Sequence, residues 1–235
     1  MTMKDTHVRT MFETIAGGYD LQNSVLSLRR DTYWRKALAK AIPIKNQEIV
    51  LDVAIGTAEV ALEICRQHAA ARVIGVDFSP AMLKVGKQKI AARQLSNRIM
   101  LMAGDGRSLP IRSGSADAVS IAFGIRNIEE RSLALQEFYR VLKPGGELYI
   151  MEFSYPDGIF LGRLYRFYFD HILPPLGNWL SRTDYAYSYL STSVDEFPTD
   201  SFFLGEMSDA GFAHLEVKKL TFGIAKIFRG VKVAQ

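Results

Sequence analysis

Cysteine is nearly absent from this sequence. Cys65 stands alone among 235 residues, so no internal disulfide can form. Histidine is scarce too: there are four, none in a Cys/His cluster with zinc-ligand spacing, and no metal is expected. No apolar run reaches the roughly 20 residues that a membrane-spanning helix needs. The opening stretch, MTMKDTHVRTMFETIAGGYD, lacks the long apolar segment of a secretory signal. Internal repeats and low-complexity linkers are missing. So are a concentrated basic stripe and a target-base motif such as Asn-Pro-Pro-Tyr. The net charge is only +4, and the cluster Lys84, Lys87 and Lys89 reads as a solvated helix face. Nucleic acid is therefore not an expected partner. Together these absences point to a reducing, cytoplasmic setting. Cys65, within VALEICRQ, reads as a packing residue of a helix.

What is present is a chain that is 48% hydrophobic, enough for a real core in one globular domain. Strand-like and helix-like segments alternate through its middle. EIVLDVA, RVIGVDF, RIMLMAG, ADAVSIAF and ELYIMEF are short apolar runs that read as buried strands. Between them, TAEVALEICRQHA has helical spacing. SPAMLKVGKQKIAARQL opens with Ser79 as N-cap and Pro80 at the first helical position. ERSLALQEFYRVLK reads as a helix stopped by PGG. This alternation predicts an α/β fold with a doubly wound, mostly parallel sheet.

Three regions depart from the alternation. Residues of about 6–17 and 31–42 read as helices ahead of the first strand. After the fifth strand comes YPDGIFLGRLYRFYFDHILPPLGNWLSRTDYAYSYL, rich in Tyr and Phe with two adjacent prolines. It reads either as a helical pair packed through its aromatics or as a cap over a greasy ligand pocket. AHLEVKKLTFGIAKIFRGVK reads as two strands joined near LTFG that close the sheet edge.

Doubly wound sheets bind ligands at the carboxyl ends of their strands. The loop after the first strand, DVAIGTAEVA, contains Asp52, Gly56 and Thr57. Gly56 permits a tight turn, and Thr57 offers a hydroxyl beside a helix N-terminus. The second strand ends at Asp77 and Phe78, about 20 residues on, where an acid can accept both hydroxyls of a ribose. AGDGRSLP places Asp105 and Gly106 after the third strand, in reach of an adenine ring. A dinucleotide fingerprint would need G-x-G-x-x-G, but Ala54, Gly56, Ala58 and Glu59 occupy the loop. Glu59 would oppose a pyrophosphate, whereas a cationic sulfonium raises no such conflict. S-adenosylmethionine therefore fits better than NAD.

Two longer stretches resemble the ubiquinone/menaquinone biosynthesis C-methyltransferases. RVLKPGGELYIMEFS (140–154) is similar to that family's C-terminal signature at every specified position. YDLQNSVLSLRRDTYW (19–34) is similar to its N-terminal signature through Tyr19, Asp20, Asn23, Leu26, Ser27 and Trp34. Gln22 stands where the signature has Met, and Asp31 where it has His. AFGIRN, YLSTSVDEFP and AGF also look like family sequence, and the resemblance covers nearly the whole chain. It implies a class I S-adenosylmethionine-dependent methyltransferase fold, Rossmann-like, with seven strands and helices on both faces. It implies S-adenosylmethionine as cofactor, with contacts at Thr57, Asp77 and the Asp105–Gly106 pair, and a polyprenylated quinol as substrate. Some members carry a serine at the position of Ala122. The expected division is an N-terminal helical lid (1–45), a cofactor-binding core (46–153), a helical substrate cap (154–210) and C-terminal strands (211–235).

Methylating a ring carbon requires that a neighbouring phenol lose its proton. A free phenol titrates near 10, so positive charge, hydrogen-bond donors or a base must assist. In AFGIRNI, Arg126 is the cation that can stabilise a phenolate, and it titrates too high to be the base. Asn127 can donate to the same oxygen or orient a water. Tyr19 can bond the ring oxygen, and Asp20 can accept a proton or hold Arg126. The alternatives are a surface ion pair of Arg126 with Glu129 or Glu130, and a helix-capping role for Asp20. Rival functions are methylation of another small hydrophobic or natural-product acceptor, and a non-catalytic protein of the same fold that binds a lipid or a partner chain. The isoprenoid tail implies peripheral contact with the inner face of a membrane, for which Phe160, Leu161 and Phe169 in the aromatic segment are the candidate surface. The same aromatic helices and the apolar strand ends are candidate surfaces for a homodimer.

Overall fold

A computed structural model of the chain describes residues 3–44, 48–156, 158–181 and 186–233. Five strands of the central alternation form as expected: β1 (Ile49–Val53), β2 (Arg72–Asp77), β3 (Ile99–Ala103), β4 (Ala116–Ala122) and β5 (Leu142–Phe153). They are mutually parallel. The C-terminal pair, β6 (Ala213–Leu220) and β7 (Ala225–Val231), completes one seven-stranded sheet in the order β3-β2-β1-β4-β5-β7-β6. β7 is inserted antiparallel between β5 and β6. The order reverses between β1 and β4, so the crevice expected to hold a ligand opens beside β1.

Helices cover both faces of the sheet. On one side, α3 (Arg30–Ala41) and α4 (Glu59–Gln67) pack through Leu38, Ala61 and Ile64. On the other, α6 (Arg131–Val141) and α10 (Asp200–Asp209) pack through Leu135, Phe138 and Phe203. Cys65 is buried in the first of these layers, as a packing residue. α5 (Pro80–Ala92) starts as the sequence predicts, with the Ser79 hydroxyl accepting from the Met82 N–H and Pro80 at the first turn. α6 stops earlier than predicted, at Val141, because Pro144 disfavours helical backbone at Lys143 and the chain is already extended from Leu142.

A third apolar cluster lies outside these two layers. Met11 and Ile15 of α1 (Met3–Ile15) and Leu26 of α2 (Tyr19–Leu26) pack with Phe169, Leu173 and Ala186 from beyond β5. The N-terminal helices and the helices after β5 thus share one core. α2 itself escaped the periodicity reading, being short and carrying Asn, Ser and Val, which are weak helix formers. After β5 the chain forms α7 (Ile159–Phe167), one π-helical turn (Tyr168–Ile172) and α8 (Leu173–Ser181), then α9 (Ala186–Asp195). Pro174 and Pro175 lack the N–H groups an α-helix needs there, which accounts for the change of hydrogen-bond spacing just before them. Among the described residues, no helix is long and apolar enough to cross a membrane.

Candidate active site

Two cavities meet at the carboxyl edge of the sheet. The first, about 490 Å³, is lined by the ends of β1 to β4 and by α1. The second, about 580 Å³, lies among α1, α2, α3 and the helices after β5. Phe12, Tyr19 and Phe123 belong to the walls of both.

The loop after β1 shapes the first cavity. Ala54, Gly56 and Ala58 all have positive φ (51°, 56° and 67°), although only the middle residue is glycine. A Cβ on Gly124 would come within 2.8 Å of the Ala54 Cβ, so the loops after β1 and β4 approach as closely as backbone allows. Asp77 lies in the cavity wall, its Oδ2 accepting from the Gly56 N–H (2.8 Å) and its Oδ1 from the Ser79 N–H (2.8 Å). Burial raises the Asp77 carboxyl above its usual range, against the pull of these backbone donors. Phe78, Asp105 and Gly106 also line this cavity. Arg107 clamps Asp105 (2.6 Å) and holds its carboxyl below the usual range. Gly106 leaves backbone bare in a niche where a Cβ would crowd Ile128 and Val53 at 3.2 and 3.3 Å.

Two expected cofactor residues stand apart from that wall. Asp52 is fully buried. Its Oδ1 accepts from the Ser120 hydroxyl at 2.7 Å, and its Oδ2 has no partner among the described residues. Burial pushes its carboxyl up to about 7. The Thr57 hydroxyl is not offered to the cavity; it donates to Asp20 at 2.6 Å. Asp20 therefore does not hold Arg126 as expected. Its second oxygen accepts from Lys89 at 2.7 Å, and Lys89 also pairs with Glu59. Lys84 and Lys87 are exposed as read from sequence, but Lys89 is a tertiary contact rather than part of a solvated face.

AFGIRNI leaves β4 through Phe123, a bulky residue at φ 57°, and enters a short 3-10 turn over Ile125–Asn127. Arg126 is buried in the wall of the second cavity, not on the surface. Its partner is neither Glu129 nor Glu130 but Glu152 of β5, with Nη1 to Oε1 at 2.7 Å. Nη1 also donates to the Phe123 carbonyl, and Nε donates to the Ser193 hydroxyl at 3.2 Å. Asn127 lines the first cavity, its amide oxygen accepting from the Tyr189 hydroxyl at 3.1 Å. Burial raises the Tyr19 hydroxyl above its usual range, while Arg126 and Arg35 draw it down.

Sequence reasoning missed Glu152, Ser193 and Tyr189. The signal for Glu152 was legible: it is the lone charge at the end of the apolar run LYIMEF. Trp34, Phe153 and Phe169 line the second cavity with Phe123, which stacks on Phe153 at 4.2 Å between centroids. Phe169 is 1% exposed, so it cannot belong to an outward surface. The side chains of Phe160 and Leu161 lie outside the described residues. Asp31, which replaces the signature's His, is buried against Ser27 (2.9 Å) and Arg35 (2.6 Å) in the wall of the second cavity.

A profile of the ubiE/COQ5 methyltransferase family matches residues 1–232. The chain is 42% identical over 233 residues to the ubiquinone/menaquinone biosynthesis C-methyltransferase UbiE of Geotalea daltonii, covering 99% of both chains. It is 37% identical over 230 residues to the demethylmenaquinone methyltransferase of Bacteroides fragilis, covering 97% of this chain and 94% of that one. A putative S-adenosylmethionine-dependent methyltransferase from Methanococcus maripaludis has a similar fold, with a TM-score of 0.67 at 19% identity over 94% of this chain and 93% of that one.

Proposed function

Because the chain belongs to the ubiE/COQ5 methyltransferase family, we propose that it transfers a methyl group from S-adenosylmethionine to a ring carbon of a polyprenylated quinol, a demethylmenaquinol or a ubiquinol precursor, in quinone biosynthesis. The observation that carries this reading is the junction of the two cavities at Phe12, Tyr19 and Phe123. A chamber holding carboxylates and glycines shares these walls with an aromatic one.

The first chamber suits S-adenosylmethionine. Asp77 and Asp105 line it, and we assign them to the ribose and the adenine, with the Gly106 backbone beside them. S-adenosylmethionine, when bound, supplies a methyl on a cationic sulfur; its transfer to carbon leaves neutral S-adenosylhomocysteine, and the acceptor ring gives up one proton.

The chain's own residues orient the acceptor and favour its phenolate. Trp34, Phe123 and Phe153 give the second cavity an aromatic wall that suits a quinol ring. Arg126 supplies the cation on that wall. Tyr19 stands at the junction, where burial raises its hydroxyl above its usual range, and we assign it as a donor to the acceptor oxygen. The carboxamide oxygen of Asn127 is engaged by Tyr189, leaving its N–H groups to donate. Asp20, engaged by Thr57 and Lys89, fastens α2 instead.

Phe169, being buried, does not belong to a membrane surface, and peripheral membrane contact fits the mouth of the second cavity. Leu28, Phe167 and Ile172 are exposed and also line the second cavity, so an isoprenoid tail would leave there. Arg29, Arg30 and Arg166 are exposed beside them and suit anionic headgroups. The test of the proposal is incubation with S-adenosylmethionine labelled on its methyl and a panel of quinols, with mass spectrometry of the products. Label on a ring carbon of a prenylated quinol supports it. Label only on non-quinol acceptors would overturn it.

A further inference from the structure

Glu152 is the one ionisable group in the wall around Arg126 that touches the guanidinium, among the described residues. It is 0% exposed, at the end of an apolar strand. Its Oε1 accepts from Arg126 Nη1 and from the Phe153 N–H (2.9 Å), and its Oε2 accepts from the Arg126 N–H at 3.3 Å. Side chain and backbone of Arg126 are thus gripped by one carboxylate, with the Phe123 carbonyl and Ser193 completing the hold. The other charged and titratable groups around the pair have different partners or lie further off. Lys226, opposite Glu152 on β7, is bound to both oxygens of Asp200 at 2.7 and 2.8 Å. Tyr19 feels Arg126, Arg35 and Asp20, and Tyr189 feels Arg126, Glu196 and Glu152.

We propose that Glu152 is a positioning residue for the methyl transfer: it locks Arg126 into the wall of the second cavity and offsets part of its charge, setting how readily an acceptor phenol ionises there. The inference rests on the methyltransferase reading above. An unopposed guanidinium in a water-poor cavity draws down a phenol at 4–6 Å by about one to three pH units. With a carboxylate against it, the phenol feels only the difference between a near cation and a slightly farther anion. The acceptor then ionises near the pH at which it must react, rather than being held as a tightly bound anion.

Glu152→Gln keeps the volume and an acceptor oxygen but removes the charge. The acid limb of kcat/KM for a short-chain demethylmenaquinol should move about one unit to lower pH. The ionisation of bound 1-naphthol, followed by absorbance with S-adenosylhomocysteine present, should move the same way. Loss of activity by the same factor at every pH, with the 1-naphthol titration unmoved, would mean that Glu152 only holds the fold, and would overturn the inference. Should the Gln variant not fold, Glu152→Asp withdraws the carboxylate by one methylene and should shift both titrations in the same direction by less; no shift overturns the inference equally. A wild-type enzyme that methylates no quinol and binds no 1-naphthol would sink the underlying reading instead.

Discussion

Thr57 donates a 2.6 Å hydrogen bond to Asp20, tying the loop after β1 to the N-terminal helix α2. Lys89 of α5 reaches the same carboxylate at 2.7 Å and Glu59 of α4 as well. One partly exposed acid therefore clasps three elements around the first cavity. α2 carries Tyr19, which lines both cavities, so the clasp fixes a wall of the chemistry without touching it.

Breaking that clasp should loosen the N-terminal helices. Hydrogen bonds to charged groups are worth about 1.5–3 kcal/mol, and partial exposure lowers the figure here. Asp20→Ala and Thr57→Val should each weaken cofactor binding several-fold, and the double variant should cost less than the sum. A coupling of about 1 kcal/mol in a double-mutant cycle on S-adenosylmethionine affinity is expected. Strict additivity would show that the contact carries no coupling.

Asp77→Ala should act on the cofactor before it acts on turnover. The carboxylate holds the Gly56 and Ser79 N–H groups, so its loss releases the loop that shapes the chamber and, on the proposed reading, removes the ribose acceptor. Titration calorimetry should show S-adenosylmethionine affinity reduced at least tenfold, as expected for more than about 1.4 kcal/mol. Unchanged affinity with reduced turnover would move Asp77 out of the cofactor site.

The buried Asp52 predicts a pH dependence with a definite sign. Its carboxyl is raised to about 7 from an ordinary value of 3.8, chiefly by burial. Between those values the folded state binds a proton that the unfolded state has lost, so this group's contribution to stability falls as pH rises through that window. Asp77 and Glu152, also raised by burial, act in the same direction, and Asp105 and Glu137, lowered by Arg107 and Arg140, oppose them. Asp52→Asn isolates one share: urea unfolding from pH 4 to 8 should show the variant gaining on wild type by up to about 1.4 kcal/mol per unit. Parallel curves would contradict the assignment.

The membrane face is tested by its exposed apolar residues. Replacing Leu28, Phe167 and Ile172 together with serine should reduce binding to anionic-lipid vesicles at least tenfold, since each buried apolar side chain contributes about 1.5–3 kcal/mol. Unchanged binding by a folded variant rejects this surface.

The sheet was legible because its strands are short apolar runs punctuated by caps and glycines, as Ser79 and Pro80 illustrate. The cofactor candidates followed from strand ends: Asp77, Phe78, Asp105 and Gly106 all reach one cavity. What escaped was every role set by a partner distant in sequence. Lys89 resembles its exposed neighbours Lys84 and Lys87 until α2 packs beside it. Asp20 looks like a catalytic acid until Thr57 takes one of its oxygens. Phe169 looks like a surface aromatic until the N-terminal helices cover it. The alternative pairing of Arg126 with Glu129 or Glu130 gives way to Glu152 because local spacing says nothing of β5 running alongside β4.

Arg126→Lys measures the central assignment most directly, because it keeps a cation for Glu152 while removing the forked donor set. Single-turnover methylation of a demethylmenaquinol should fall by about two orders of magnitude, as when a charge-stabilising donor is lost. The dissociation constant for S-adenosylmethionine should stay within about threefold, less than 1 kcal/mol. An equal loss of cofactor affinity, or an unaltered methylation rate, would contradict the assignment of Arg126 to the acceptor.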